Sequence, residues 1–145
     1  GPTCPAFLLN GLQVQLLIAA STFLPDDSPV IFDAVTNNAS ANITYDTNTG
    51  IFSIAEAGNY LVIWWINADG AGPSPTVTFN IETSGGQVII TSSQSPQSSL
   101  QLNGTALLTV ADNETFSLIN RTGEDVFIGA ATVQANLTAI EISLA

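Results

Sequence analysis

The run Tyr60-Leu61-Val62-Ile63-Trp64-Trp65-Ile66 is apolar at seven consecutive positions, and few folds can accommodate it. It falls well short of the roughly 20 apolar residues of a membrane-spanning helix. Its β-branched and aromatic side chains favour a strand. A strand with one solvated face alternates apolar and polar residues; this one does not, so both of its faces need cover. Tyr60, Val62, Trp64 and Ile66 point one way and can fill the domain's own core. Leu61, Ile63 and Trp65 point the other way, and the simplest cover for them is a second copy of the chain.

Composition bears on that surplus. A chain of 145 residues is expected to form one domain. Only 9% of its residues are charged and 46% are apolar, a balance that a homo-oligomer with an apolar interface accounts for. The net charge is −11 and Arg121 is the sole basic side chain, which excludes nucleic acid and anionic membrane surfaces as partners. No insertion into a membrane is expected. An exposed surface of Ser, Thr, Asn and Gln offers trypsin-like proteases little to cut and suits an extracellular or cell-surface life.

The termini leave alternatives open. Cys4 is the one cysteine, so it is a free thiol, an artefact of the terminus, or a bridge between chains. Gly1-Pro2 reads as a protease scar from an expression vector. Equally, Gly1-Pro2-Thr3 before Cys4-Pro5 reads as the end of a Gly-X-Y collagen-like stalk. The segment from Phe7 to Leu24 has a faint targeting character, but Asn10, Gln13 and Gln15 interrupt it and no basic residue precedes it. Alternation of Leu12, Val14, Leu16 and Ile18 with Gln13 and Gln15 predicts a first strand instead. With no targeting segment, the chain is expected to be part of a longer protein, with residues 1–5 as stub or scar and 6–145 as the domain.

Further strands follow. Pro25 to Pro29 is a turn, and Val30-Ile31-Phe32 a short apolar strand. Thr36 to Asn42 reads as a polar loop before Ile43-Thr44-Tyr45. Asp46 to Gly50 turns the chain into Ile51 to Ile54. Asn67 to Pro75 reads as a loop, and Thr76 to Ile81 as a strand with Val77, Phe79 and Ile81 inward. Gly85-Gly86 makes a hairpin into Gln87 to Ile90, and Thr91 to Ser99 reads as a surface loop. Leu100 to Leu102, Ala106 to Val110, Phe116 to Ile119, Val126 to Ile128 and Asn136 to Leu144 complete the set. About ten short antiparallel strands and no helical period predict an all-β, two-sheet jelly-roll sandwich. The chain has no Lys to guard its sheet edges, so burial against neighbours is the expected substitute.

Spacing around the apolar run carries a resemblance. Tyr45, Phe52 and then Gly58-x-Tyr60-x-Val62-x-Trp64, with Phe32-Asp33-x-Val35 before them, resemble the signature of the C1q/tumour-necrosis-factor family of trimeric jelly rolls. Val62 stands where that family has Phe, Ser40 where it has Asn or Asp, and Asn113-Glu114-Thr115-Phe116 where it has Gly-Asp-x-apolar. Leu137 to Ile142 is similar to its closing strand. Within the family, the scarcity of basic residues and the lone Cys4 are most similar to the C-terminal heads of bacterial collagen-like spore-surface glycoproteins of the BclA type. That resemblance implies a homotrimeric head that sets the register of a collagen-like stalk. The alternative is a trimeric module that binds a host or receptor protein.

Chemistry is sparse. There is no His and no Lys, which removes the usual general base, the nitrogen metal ligand, Ser-His-Asp and Cys-His arrangements, Schiff bases and the P-loop. Asp26-Asp27 between two prolines reads as a solvated turn. Asp46-x-Asn48-x-Gly50 lacks the further carboxylates of a calcium loop, and Asp112 and Glu114 read as solvent-facing. Asn-x-Ser/Thr triplets at Asn38, Asn42, Asn103, Asn113, Asn120 and Asn136 read as compositional. Trp64 and Trp65 face opposite ways and cannot form one sugar-stacking platform. No enzyme activity, cofactor or metal is expected. The residues expected to carry function are Leu61, Ile63 and Trp65 at an interface between copies, above a core of Tyr45, Phe52, Gly58, Tyr60, Val62 and Trp64.

Overall fold

The computed structural model describes residues 10–17, 23–129 and 131–144; residues 1–5, Cys4 included, and Ile18 lie outside that set. The first half of the chain forms β1 (Gly11–Leu16), β2 (Phe23–Leu24), β3 (Ala34–Asn38), β4 (Ile43–Asp46), β5 (Ile51–Ile54) and β6 (Gly58–Gly70). The second half forms β7 (Thr76–Thr83), β8 (Val88–Gln94), β9 (Leu100–Val110), β10 (Thr115–Asn120), β11 (Val126–Ile128) and β12 (Ala135–Leu144). They pack as two antiparallel sheets. One has the order β2-β11-β6-β12-β1-β3, with β9 on the other edge of β6; the second runs β4-β5-β10-β7-β8.

The all-apolar run lies inside β6, which is hydrogen-bonded on both edges, to β9 on one side and to β12 and β11 on the other. Its inner residues Tyr60, Val62, Trp64, Ile66 and Ala68 are buried. They share one buried cluster with Val77, Phe79 and Ile81 of β7, as the alternation of that strand predicts, and the Trp64 and Phe79 rings lie 6.1 Å apart. At the other end of the core Phe52 stacks on Phe116 at 4.6 Å and meets Phe32 and Tyr45 edge-on or tilted. Each such buried aromatic or aliphatic side chain stabilises the fold by roughly 1.5–3 kcal/mol.

Several boundaries differ from the sequence reading, each for a local reason. Val30 and Phe32 are buried but form no regular strand. Pro29 makes a lone bridge to Ile119, Val30 bonds Leu118, and the Phe32 N–H goes to the Tyr45 hydroxyl at 2.7 Å instead of a neighbouring strand. Thr36 to Asn38 belong to β3, an exposed edge strand where polar side chains give no alternation to read. Asn67 to Gly70 extend β6, with Ala68 buried beneath the sheet. Thr91 to Gln94 extend β8 along the edge, and β9 is one strand where two were expected.

Gly104 explains that last difference. It sits in the middle of β9 opposite Trp64, and a Cβ there would run into the indole ring. The glycine that resembles a break in the apolar pattern is the seat of the largest core side chain. The free edge of β9 is closed by Gln87, whose amide donates to the Leu107 carbonyl at 2.9 Å and accepts from the Thr109 N–H at 3.2 Å.

Candidate assembly face

Residues directly opposed in an antiparallel sheet point to the same side. The outward face of the large sheet therefore follows from its register. Leu61 lies between Ile140 of β12 and Leu107 of β9; Ile63 lies between Thr138 and Thr105; Trp65 lies between Asn136 and Asn103. On β1, Gly11, Gln13 and Gln15 continue these three rows. Ile63 is 43% exposed and Leu107 60% exposed, while Leu61, Trp65 and Ile140 are half-buried within the single chain. The three side chains expected at an interface thus share one face. Leu107 and Ile140 join them, and only the strand pairing brings those two there.

Between the rows of Asn59 and Asn67 this face carries no Asp, Glu, Lys or Arg on β1, β6, β9 or β12. Its polar groups are amides and hydroxyls. Gln13 and Gln15 both donate from Nε2 to Asn136 Oδ1, at 2.7 and 3.0 Å, and Asn136 is only 7% exposed. The face is not flat. Beside Ile140, where Gly11 has no side chain, a groove of about 130 Å³ is walled by Gln13, Asn37, Ala39 and Thr138. Leu107 projects at the opposite end of the same row.

The carboxylates serve the backbone elsewhere. Asp26 Oδ1 accepts from the Gly123 N–H, Asp46 Oδ1 from Asn48, Asp112 Oδ1 from Ala57 and Glu114 Oε1 from Ala111, at 2.6–3.0 Å. Among the described residues no three acidic, Cys or His side chains gather to hold a metal, and no helix is long and apolar enough to cross a membrane. The Arg121 guanidinium grips Glu82 with two bonds of 2.7 and 2.8 Å and reaches Asp27 at 2.9 Å. That grip holds the Glu82 carboxyl below the usual range and pushes the Arg121 guanidinium above its own.

Of the signature residues, Phe52, Tyr60, Val62 and Trp64 are in the core and Tyr45 packs against it. Burial pushes both tyrosine hydroxyls up to about 12. Tyr60 donates its hydroxyl to the Glu56 carbonyl at 2.7 Å. Gly58 lies so close to the backbone of Ser143 that no side chain fits.

A family model for the C1q domain matches residues 17–135. The chain belongs to the C1q domain family. Its fold is shared with the globular domain of zebrafish complement 1qA protein (TM-score 0.74, 15% identity, covering 94% of this chain and 99% of that one). It is shared also with Eiger TNF from S. frugiperda (0.75, 12%, 96% of each) and with murine APRIL (0.72, 9%, 92% and 99%). No curated protein sequence matches the chain. C1q and tumour-necrosis-factor domains typically form trimers, are typically non-enzymatic binding or signalling modules, and are generally extracellular. The C1q jelly roll accounts for the two-sheet architecture.

Proposed function

We propose that this C1q domain is a non-enzymatic assembly head that forms a homotrimer through the outer face of its large sheet. The observation that carries the reading is the charge-free strip centred on Leu61, Ile63 and Trp65. Copies with a net charge of −11 repel one another. They can approach closely only where no carboxylate is brought against another, and this face meets that condition. Its two ends also differ, with Leu107 projecting at one and the Gly11 groove recessed at the other. Unlike ends suit a head-to-tail contact that closes into a ring, and three is the number typical of the family.

As part of the same proposal, the trimer is the C-terminal head of a collagen-like filament on a bacterial or spore surface. A collagen triple helix needs three chains in register, because only Gly fits at its axis, and a head that trimerises first supplies that register. A Gly-X-Y tract upstream in the full-length gene supports the stalk; any other upstream sequence removes it. Sparse basic residues make the head resistant to trypsin, with Arg121 the single cleavage point and held by Glu82 and Asp27.

Mass in solution is the decisive measurement. Three times 15.0 kDa, with and without reductant, is expected; a stable single-chain mass at micromolar concentration overturns the reading. A second reading, a trimeric recognition module for a host or receptor protein, is favoured by β8. Its Val88 and Ile90 are 50% and 66% exposed on the other sheet, which the trimer leaves open. Capture of one saturable partner that is lost in Ile90→Asp supports it.

A further inference from the structure

Two strands of the outer face carry the same outward lettering. Asn103-Gly104-Thr105-Ala106-Leu107 on β9 and Asn136-Leu137-Thr138-Ala139-Ile140 on β12 both present Asn, Thr and an aliphatic residue outward at alternate positions. The two strands flank β6 and are each antiparallel to it, so they run in the same direction. Asn to aliphatic spans four residues in both, roughly 13 Å of strand. Within one chain the pairs Asn103/Asn136, Thr105/Thr138 and Leu107/Ile140 never meet, because β6 stands between them.

Their free hydrogen-bonding groups are also complementary. Asn103 Nδ2 donates to the Gln101 carbonyl at 3.2 Å, which leaves its Oδ1 as an acceptor facing outward. Asn136 Oδ1 is occupied by Gln13 and Gln15, which fixes the amide and leaves Nδ2 as a donor with no partner among the described residues. A fixed polar group inside an apolar contact penalises every register that leaves it unpaired.

Resting on the self-association reading, we infer that the two triplets pair between copies, like with like. The Asn103-Thr105-Leu107 row of one copy lies along the Asn136-Thr138-Ile140 row of the next. Asn136 Nδ2 donates to Asn103 Oδ1, the threonines meet, and Leu107 enters the groove beside Ile140 and Gly11. A rotation axis along the strands keeps the two directions matched, whereas a twofold axis across them sets Asn against aliphatic. Gln13 and Gln15 are the positioning residues, since they hold the Asn136 amide in the one orientation that offers its donor. The triplets therefore specify one register for the assembly where a purely apolar strip allows several.

Engineered disulfides test the pairing in a Cys4→Ser background. Thr105→Cys with Thr138→Cys in one chain places the two Cα atoms roughly 9–10 Å apart within a copy, since two strand spacings separate them. That exceeds the roughly 7 Å limit for a bridge, so any disulfide joins different copies. Mild oxidation is expected to give a covalent three-chain species on a non-reducing gel, while either single variant gives none. Leu107→Cys with Ile140→Cys repeats the test two residues along if the first pair folds poorly. A double variant that keeps the trimer mass without cross-linking overturns the pairing and leaves self-association standing, as does cross-linking by a single variant. A single-chain mass for the Cys4→Ser parent overturns both.

Discussion

The two outer faces of the sandwich are built from the same alternation and differ in what they expose. The large sheet turns outward Leu61, Ile63, Trp65, Leu107 and Ile140 among amides and hydroxyls, with no charge between the Asn59 and Asn67 rows. The small sheet turns outward Thr44, Asp46, Ser53, Ser117 and Glu82, with Arg121 drawn across from the end of β10. Charge is expensive to bury, so the wall that carries none is the one suited to cover, although Ile51, Val88 and Ile90 leave apolar surface on the small sheet as well. In a protein with this composition the informative feature is the absence of carboxylates from one wall, since hydrophobic side chains occur on both.

The largest expected effect comes from putting a carboxylate on each wall in turn. Trp65→Asp removes a large apolar contact and sets like charges against each other at the proposed interface. Size-exclusion chromatography with light scattering should show monomers or insoluble protein. Ile90→Asp adds the same charge to a side chain that is 66% exposed on the small sheet, and the mass should not change. Equal behaviour of the two variants abolishes the distinction between the walls.

A smaller effect separates the core side of β6 from its outer side. Gly104→Ala adds one methyl group against the Trp64 indole in a close-packed interior. Overpacking of this kind costs about 1–3 kcal/mol, visible as a lowered midpoint in denaturant with the slope unchanged. Thr105→Ala, the next residue but facing outward, removes atoms without creating a clash in the core, so its shift of the midpoint should be the smaller of the two. If Gly104→Ala is neutral, the indole is not seated where the register places it.

The two walls were unequally legible in the sequence. The apolar run announced a strand covered on both sides, and alternation alone assigned Leu61, Ile63 and Trp65 to one face and Val77, Phe79 and Ile81 to the core. Edge strands were illegible: Thr36 to Asn38 and Thr91 to Gln94 are hydrogen-bonded on one side only, and their polar side chains follow no period. Gly104 resembled a break because its role depends on Trp64, forty residues away in sequence and directly opposite in space. Leu107, Ile140 and the Gln13–Asn136–Gln15 cluster were missed for the same reason. Each sits in a residue pattern that carries no mark of which strands become neighbours. The recurrence of Asn-x-Thr-x-aliphatic in β9 and β12 was visible as two glycosylation-like triplets, and only the register gives it a direction.

Inside the sandwich the tyrosines offer a middle-sized test. Tyr45 and Tyr60 are the only two in the chain, so tyrosinate absorbance reports on them alone. Burial raises both to about 12, against an unfolded value near 10. The raised values mean that this stabilisation is fully present below pH 10 and is lost as pH rises through 12. A native titration should stay silent at pH 10, where the unfolded chain is half ionised. A curve centred near 10 in the folded protein would mean that neither ring is shielded.

The smallest effect is on the charged wall. Arg121 is 37% exposed at the side chain and Glu82 21%, so solvent screens the pair and its worth is about 1 kcal/mol or less. Arg121→Gln should lower the denaturation midpoint slightly and leave the mass untouched, because no part of this clamp reaches the other face. Its acid dependence has a definite sign. The Arg121 bond depresses Glu82, so the clamp's contribution is present above the ordinary glutamate range and is lost as pH falls through the depressed value. Wild type and Arg121→Gln should therefore differ in stability at neutral pH and converge in acid, at every salt concentration low enough to leave the pair unscreened. A change in oligomeric mass in Arg121→Gln would connect the two walls and end the division of labour between them.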